Sequence, residues 1–277
     1  MGNMIELVFD SLHSGSNEAD IFSAMIFEAG ADGINETSGC LSVFFSEEVF
    51  NNNHDRIMSA AGNHNFIKII HEPQNWNSEW EKNYPPVIIG NKIVVYAPFH
   101  TDIPDLEHRI LINPGMAFGT GHHSTTSLML QLMCEIDFSG KRVIDMGCGS
   151  GVLAIMASKL NAVNVLAIDN DKNSYENCIL NINANNCKNI ICIEGNAKNL
   201  EGQNAEIFLA NITRNILLAD FDNYYKCISP GGLLLLSGFL ADDLIFFDHK
   251  ATDSGMKKIN VLNEKEWAAV AYLKPEN

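Results

Sequence analysis

The sequence lacks any long apolar run and any basic leader segment. No uninterrupted apolar stretch approaches the ~20 residues that a membrane-spanning helix requires. Residues 1–8 place no basic segment ahead of an apolar one, which argues against a signal peptide. We therefore expect a chain in the cytoplasm with no membrane partner.

The sequence is also short of positive charge. Its 34 Asp and Glu residues outnumber its 18 Lys and Arg residues, which gives a formal net charge of -16. A phosphate backbone would be repelled by this charge, so we expect no direct binding to nucleic acid. The same field attracts a basic partner and raises its rate of encounter.

None of the seven cysteines belongs to a Cys-x-x-Cys pair, and their number is odd. The usual spacing of a structural zinc site and a complete disulfide framework are both absent. Cys187 and Cys192 are the nearest pair, with no histidine beside them at ligand spacing. We expect reduced thiols that pack as small apolar side chains, and no metal site.

What the chain does contain is a glycine-rich turn between a strand and a helix, at residues 143–155. Gly147, Gly149 and Gly151 lack a Cβ atom, so the backbone can take positive φ and present N–H groups to a ligand at a helix N-terminus. Asp145 lies at the end of this strand and Asp169 at the end of the next. Both are candidates to accept hydrogen bonds from a ligand, which predicts a nucleoside-cofactor site.

The spacing of the glycines separates two cofactor classes. A dinucleotide fingerprint needs Gly-x-Gly-x-x-Gly, whereas Val152 follows the third glycine here. An acidic residue two positions before the first glycine makes the turn similar to the first motif of Rossmann-like S-adenosylmethionine-dependent methyltransferases. An NAD-dependent oxidoreductase remains an alternative, although the missing glycine and the lack of a recognisable catalytic acid or base weigh against it.

The first quarter of the chain predicts a β-α-β-β-α-β order, which is that of a ferredoxin-like domain at residues 1–72. Its predicted strands and helices lie, in chain order, at residues 4–9, 17–28, 33–36, 41–45, 49–61 and 66–70. Residues 73–86 predict a linker helix, because prolines stand at both ends and Trp76, Trp80 and Tyr84 share one helical face. We expect that face to pack between domains.

Residues 87–277 predict an α/β domain with a mainly parallel sheet and helices on both faces. Extended segments at residues 87–89, 93–96 and 109–112 are followed by strands at 143–144, 165–168, 190–193, 207–210 and 233–236. The last two strands, 259–262 and 267–273, are too close for a parallel crossover and must form an antiparallel hairpin. The fold class expected is a Rossmann-like methyltransferase sheet with a closing hairpin, preceded by a small α+β domain.

A loop rich in glycine and polar residues, at 113–126, opens a helix that should begin near Thr125. We expect Thr125 to cap that helix and Thr126 to contact the cofactor. For His122 and His123 we favour structural hydrogen bonds over a role as general base. Asn196 follows the third strand and is a weaker candidate for an adenine contact, since Gly-Asn is also an ordinary turn.

The loop, the glycine turn and the segments around Asp169 and Asn211 together resemble the bacterial methyltransferases of large-subunit ribosomal protein eleven. The resemblance runs from about Trp76 to the end of the chain. It implies that Thr126, Gly147, Asp169 and Asn211 line an S-adenosylmethionine pocket, and Gly149 lies in the same turn. Asn211 is the expected catalytic residue. The chain reads Asn-Ile-Thr-Arg there, which departs from the Asn-Pro-Pro-aromatic motif of many amine methyltransferases.

The resemblance implies methyl transfer from S-adenosylmethionine to lysine side-chain amines of that ribosomal protein, with its N-terminal amine as a further target. It also implies a substrate free of the ribosome, a monomeric enzyme, and substrate recognition by the N-terminal domain. No metal is required for such a displacement. Two other readings stay open: a methyltransferase acting on a lysine of another basic protein, and a non-enzymatic adapter with a methyltransferase fold.

Overall fold

The computed structural model describes residues 3–10, 17–37, 40–71, 81, 83–114 and 119–276. The chain divides into two compact units, Met1–Asn83 and Tyr84–Asn277, each with an apolar core of its own. No helix within these ranges is long and apolar enough to cross a membrane. Most of the predicted linker helix at 73–86, with Trp76 and Trp80, lies outside the described residues.

The first unit is built on an antiparallel sheet. Its described elements are β1 Met4–Phe9, α1 Asn17–Glu28, β2 Gly33–Thr37, β3 Cys40–Ser46, α2 Glu47–Asn52, α3 His54–Ala61 and β4 Phe66–His71. The strands lie in the order β2-β3-β1-β4, and every neighbouring pair is antiparallel. Along β1, Ile5, Leu7 and Phe9 are buried, because alternate side chains of a strand share one face.

The helix expected at residues 49–61 is two helices instead. The Ser46 hydroxyl accepts from the Val49 N–H at 3.4 Å and caps α2, and the chain leaves the helix at Asn53, with φ of -112°. Phe50 and Ile57 are buried on either side of this break. The apolar spacing therefore continues through Asn53, which is why periodicity alone predicted one helix.

The second unit contains ten strands and five α-helices in its described part. They are β5 Val87–Ile89, β6 Ile93–Tyr96, β7 His108–Leu111, α4 Ser124–Met133, β8 Arg142–Met146, α5 Val152–Lys159, β9 Asn164–Asp169, α6 Lys172–Ala184, β10 Ile190–Glu194, β11 Ala205–Asn211, α7 Arg214–Cys227, β12 Ile228–Leu240, α8 Leu244–Asp253, β13 Lys257–Glu264 and β14 Trp267–Leu273. Strands β5 to β7 form a small separate sheet.

The other seven strands form one sheet in the order β10-β9-β8-β11-β12-β14-β13. The first five of these are parallel, and β14 runs antiparallel to both β12 and β13. The closing antiparallel hairpin predicted from the sequence is thereby confirmed. From β8 the chain builds the sheet outwards through β9 and β10, and it then returns to place β11 on the other side of β8.

Neighbouring residues of the central strands point into two different cores. Val143 and Leu235 pack with α4, α5 and α6, whereas Ile144 and Leu234 pack with α7 and α8. This alternation is the physical reason that helices cover both faces, as the sequence predicted. The reversal of strand order between β8 and β11 leaves a crevice at their carboxyl ends, where open α/β sheets bind ligands.

Candidate functional site

Strand β8 ends in the glycine turn that leads into α5. Gly147, Gly149 and Gly151 all have positive φ, at 72°, 53° and 81°, a region that residues with side chains rarely adopt. The Gly147 N–H donates to the Ile168 carbonyl of β9 at 2.8 Å. A Cβ atom at Gly147 would overlap the Ile212 side chain. Position 147 therefore requires glycine, both for its positive φ and for the close approach of Ile212.

Asp169, at the carboxyl end of β9, holds the glycine turn in place. Its Oδ2 atom accepts from the Gly149 N–H at 2.8 Å, and its Oδ1 atom accepts from the Asp171 N–H at 3.0 Å. A carboxylate offers about four acceptor positions, so two of them remain for a ligand. The side chain is only 8% exposed. The capping of α6 falls to Asp171, whose carboxylate accepts from the Ser174 N–H at 2.9 Å.

Asn211 and Thr126 meet across 85 positions of sequence. The Asn211 Nδ2 group donates to Thr126 Oγ1 at 3.2 Å. Within the described residues, the buried Oδ1 atom of Asn211 accepts no hydrogen bond. Leaving such an acceptor unpartnered costs about 1–3 kcal/mol. An acceptor that is buried, fixed in orientation and without a partner is prepared for a donor that the protein itself does not supply.

These groups border one cavity of about 420 Å³ at the carboxyl ends of β8, β9 and β11, a size typical of small-molecule sites. The structure brings all five predicted site residues to it: Thr126, Gly147, Gly149, Asp169 and Asn211. The rest of the wall is mixed in character, with apolar side chains beside hydroxyl, amide and imidazole groups. Such a lining suits a ligand that is partly apolar and carries a few hydrogen-bonding groups.

Several residues of the cavity wall were not singled out by the sequence analysis, among them Trp267 and Gly238. The Trp267 ring, at the start of β14, lies 4.8 Å from the His123 ring at an angle of 67°. Gly238 has φ of 94° and interrupts β12 where its register shifts between Ser237 and Phe239. A glycine inside an apolar strand often marks a bulge, so Gly238 carried a usable signal. The sequence around Trp267 carried no signal that this residue would line a cavity.

The prediction that Thr125 caps the helix after the loop is wrong. Helix α4 begins one residue earlier, at Ser124, and His123 is its cap. The His123 Nδ1 atom accepts from the Thr125 N–H at 3.3 Å and lies 2.8 Å from the Thr125 hydroxyl. At this helix start an imidazole nitrogen accepts the backbone N–H that a hydroxyl or carboxylate oxygen usually accepts. His123 thus has the structural role that we favoured.

Asn196 and His122 do not reach the cavity. The Asn196 side chain caps a short 3-10 helix, Ala197–Leu200, by accepting from the Lys198 N–H at 3.0 Å. It borders a separate depression of about 810 Å³, which none of the five predicted site residues lines. His122 contacts the Pro85 carbonyl at 3.1 Å through its Nε2 atom.

Asp145 lies behind the glycine turn and is fully buried. Its Oδ2 atom accepts from the Ala154 N–H of α5 at 3.0 Å, whereas Oδ1 has no partner within the described residues. Burial raises the pKa of this carboxyl from its ordinary value to about 7. Asp145 does not line the cavity, so the sequence-based suggestion of a ligand contact gives way to a role in fixing the start of α5.

The fold brings together cysteines that are distant in sequence. Cys187 and Cys192 are nearest in sequence, but the fold groups Cys192 with Cys148 and Cys178. All seven cysteines have free thiols, as expected. Cys148 lies within the glycine turn and borders the cavity.

Comparisons with known proteins agree with this arrangement. Residues 13–275 match the family described as Ribosomal protein L11 methyltransferase (PrmA). The ribosomal protein L11 methyltransferase of Phocaeicola vulgatus is 38% identical over 276 residues, which cover 97% of this chain and 98% of that protein. The enzyme of the same name from Bacteroides fragilis is 35% identical over 277 residues, with the same coverage.

A solved structure supports the fold. The crystal structure of ribosomal protein L11 methylase from Lactobacillus delbrueckii subsp. bulgaricus aligns with a TM-score of 0.65 and 23% identity, covering 69% of this chain and all of that one. With the family match extending over nearly the whole sequence, the chain belongs to the ribosomal protein L11 methyltransferase family.

Proposed function

We propose that this protein is an S-adenosylmethionine-dependent methyltransferase that methylates lysine side-chain amines of ribosomal protein L11, with the N-terminal amine as a further target. The observation that carries the proposal is the unpartnered, buried Oδ1 atom of Asn211 at the cavity wall. The names of the relatives at 97% coverage supply the substrate.

The cavity residues fit S-adenosylmethionine. Gly147 and Gly149 line the cavity without a side chain, which suits close approach of a ligand to the backbone. The Asp169 carboxylate keeps free acceptor positions for ribose hydroxyls, and such charge-assisted hydrogen bonds are the stronger kind. Thr126 and Gly149 complete this set of proposed contacts. When bound, S-adenosylmethionine supplies a methyl group on a positively charged sulfur.

The task of Asn211 is to orient the incoming amine. Its Oδ1 atom can accept an amine N–H and so direct the nitrogen lone pair into the cavity. The hydrogen bond to Thr126 fixes the Asn211 side chain, so this orientation costs little rearrangement during reaction. A general base is not needed, since the amine can lose its proton to water before it docks.

The amine must be neutral to react. A free lysine has a pKa of about 10.4, so about one amine in a thousand is neutral near pH 7, equivalent to roughly 4 kcal/mol. Removal of water from around the amine in the cavity favours the neutral form, and Asn211 aligns that form for attack. The net charge of -16 raises the encounter rate with a basic substrate.

The proposal also covers the roles of the two units, the oligomeric state and the location of the enzyme. We assign substrate recognition to the N-terminal unit and catalysis to the unit Tyr84–Asn277, which contains the cavity. The enzyme acts as a monomer in the cytoplasm, on L11 that is free of the ribosome. Small-angle scattering and sedimentation of the enzyme with and without L11 test the monomeric state, and a stable dimer contradicts it.

The experiment is mass spectrometry of purified L11 after incubation with the protein and S-adenosylmethionine. We expect mass gains in steps of one methyl group, with peptide mapping to lysine side chains. Asn211→Ala should lower kcat by about 10²–10³-fold, since it removes an oriented polar contact to the reacting group. The exposed Asn223 of α7 provides the matched control, and Asn223→Ala should retain activity.

Two outcomes contradict the proposal in different ways. If L11 gains no mass while calorimetry shows that the cofactor binds, the substrate is wrong and the cofactor assignment stands. If Asn211→Ala methylates L11 at the wild-type rate, the role given to Asn211 is wrong.

A further inference from the structure

Three cysteines from separate elements converge behind the glycine turn. Cys148 lies in the turn itself, Cys178 in α6 and Cys192 in β10. Their Sγ atoms all lie within 4.8 Å of one another, and no other group of three or more His, Cys, Asp or Glu side chains in the described ranges converges in this way. Cys178 is fully buried, Cys148 is 5% exposed and Cys192 is half-buried.

The convergence is enforced by close packing of α6 on the turn. The Asn181 Nδ2 group of α6 donates to the Ser150 carbonyl at 2.9 Å, and Asn181 is itself fully buried. A Cβ atom at Gly151 would stand 2.6 Å from the Cys178 sulfur, so only glycine allows this approach. Cys192 is held from the third side, paired with Ala167 in the parallel sheet. The three sulfurs are thus positioned by rigid elements.

The spacing of the sulfurs suits a shared metal ion better than a disulfide. Zinc binds cysteine sulfur at about 2.3 Å, so three sulfurs around such an ion lie about 4 Å apart. Sulfurs within 4.8 Å of one another need to move only a few tenths of an ångström to reach that arrangement. A disulfide needs about 2 Å between two sulfurs, which is a much larger displacement of buried side chains.

We propose that Cys148, Cys178 and Cys192 form a three-thiolate binding site for a soft, thiophilic d10 metal cation. Thiolate ligands select such cations over the hard ions that prefer oxygen. Each thiol releases its proton as its sulfur–metal bond forms, so one bound ion releases three protons. No carboxylate or imidazole of the described residues joins the group, which favours trigonal coordination by sulfur alone.

The site is distinct from the cavity described above. Of the three cysteines only Cys148 borders that cavity, and Cys178 and Cys192 lie behind it. A bound ion would join the glycine turn, α6 and β10 at one point, so it should raise the unfolding temperature by several degrees. Binding is measured without S-adenosylmethionine, so its outcome is independent of the proposed methyl transfer.

The test is titration of the reduced, metal-free protein with Cd²⁺, followed by the absorbance of thiolate-to-cadmium charge transfer and by native mass spectrometry. We expect one tightly bound Cd²⁺ per chain and an absorbance change corresponding to three thiolates. Cys192→Ala should weaken this binding at least 100-fold. Cys187→Ala is the matched control, because Cys187 is a half-buried cysteine packed against the same core but outside the group, and it should bind as the wild type does.

The choice of Cys192 protects the test against misfolding, since Cys192 is the least buried of the three. Circular dichroism and the unfolding temperature of the metal-free variants verify that each is folded. The proposal is overturned if the wild type binds no stoichiometric Cd²⁺. It is equally overturned if folded Cys192→Ala binds Cd²⁺ as tightly as the wild type does.

Discussion

The polar side chains at the two ends of strands β8 and β11 differ in whether their hydrogen bonds are satisfied. At the amino ends, the Arg142 guanidinium and main-chain N–H both donate to the Glu206 carboxylate, and Arg142 also donates to Asn204 Oδ1 at 2.8 Å. At the carboxyl ends, Asp145 and Asn211 each keep one buried oxygen with no partner among the described residues. The first end is exposed and satisfied, and the second is buried and unsatisfied.

Along these two strands, the polar groups at the amino ends serve stability, whereas Asn211 at the carboxyl end of β11 serves function. An unpartnered buried acceptor costs about 1–3 kcal/mol, so a protein selected for stability alone would not retain it. Only four buried side-chain atoms in the described part of the chain lack a partner, and two of them lie at these carboxyl ends. Of these two, the Asn211 oxygen lies at the cavity wall, as expected of a functional site, whereas the Asp145 oxygen lies behind the glycine turn.

The largest effect is expected from removing one carboxylate at each edge of the sheet: Asp169 of the neighbouring strand β9 at the carboxyl edge, and Glu206 of β11 at the amino edge. Asp169→Ala should weaken cofactor binding about 1,000-fold, or about 4 kcal/mol, because it removes ligand acceptors and leaves the Gly149 N–H without its partner. Glu206→Ala should leave cofactor affinity unchanged. Isothermal titration calorimetry measures both. Equal cofactor affinities for the two variants would show that Asp169 does not contact the cofactor.

The second prediction uses the pH dependence of stability. The pKa of Asp145 is raised to about 7 in the folded protein from an ordinary value of 3.8. The folded state therefore binds more protons than the unfolded state between these values, and stability falls as pH rises from about 4 to 7. Relative to the wild type, Asp145→Asn should gain about 3 kcal/mol of unfolding free energy over that interval.

Denaturant unfolding at several pH values measures this gain. The difference between the two proteins is the relevant quantity, because the other titrating groups are common to both. A difference that stays constant from pH 4 to 7 contradicts an elevated pKa at Asp145.

The third prediction concerns the partner of Asn211. Thr126→Val keeps the shape of a fully buried side chain but removes the oxygen that accepts from Asn211 Nδ2. We expect kcat/KM to fall about tenfold, or about 1.4 kcal/mol, since Asn211 loses its fixed orientation. Thr126→Ser restores the hydroxyl and should recover most of the loss. Failure of serine to rescue activity would point to packing instead of the hydrogen bond.

The smallest effect is expected at the amino ends. Hydrogen bonds from Arg142 lower the pKa of Glu206 from 4.5 to about 2. This contribution to stability is present above pH 4.5 and is lost as pH falls towards 2, which is opposite in sign to that of Asp145. Because the pair is exposed, Glu206→Gln should cost about 0.5–1 kcal/mol at pH 7 and nothing near pH 2. A larger cost at low pH than at neutral pH contradicts this assignment.

Local sequence patterns predicted the parts of the fold that local physics determines. Alternating apolar residues marked the strands, and the short connection before Trp267 dictated an antiparallel hairpin. The glycine turn was visible because three positive-φ positions in five residues leave few alternatives to glycine. Asp169 was a candidate because the carboxyl ends of parallel strands share one edge, whereas Asn211 was implied by the resemblance to a methyltransferase family.

Features that depend on distant contacts were not visible in the sequence. The Asp169 carboxylate accepts hydrogen bonds from two backbone N–H groups, one of them 20 residues away in sequence. The cysteine group needs three elements in register, so nearness in sequence indicated the wrong pair. His123 displaced Thr125 as the helix cap because a ring nitrogen can accept the same N–H.

The hydrogen bond between Thr126 and Asn211 also has a consequence for the order of folding. It closes a loop of 85 residues, and the cavity wall extends further still, from Gly119 to Trp267. Such non-local contacts form late, because the entropy of loop closure is lost before they contribute. A chain still being synthesised, with Trp267 not yet emerged, therefore has no complete cavity. Cofactor binding therefore reports that synthesis has passed Trp267, since any chain that ends earlier lacks part of the wall.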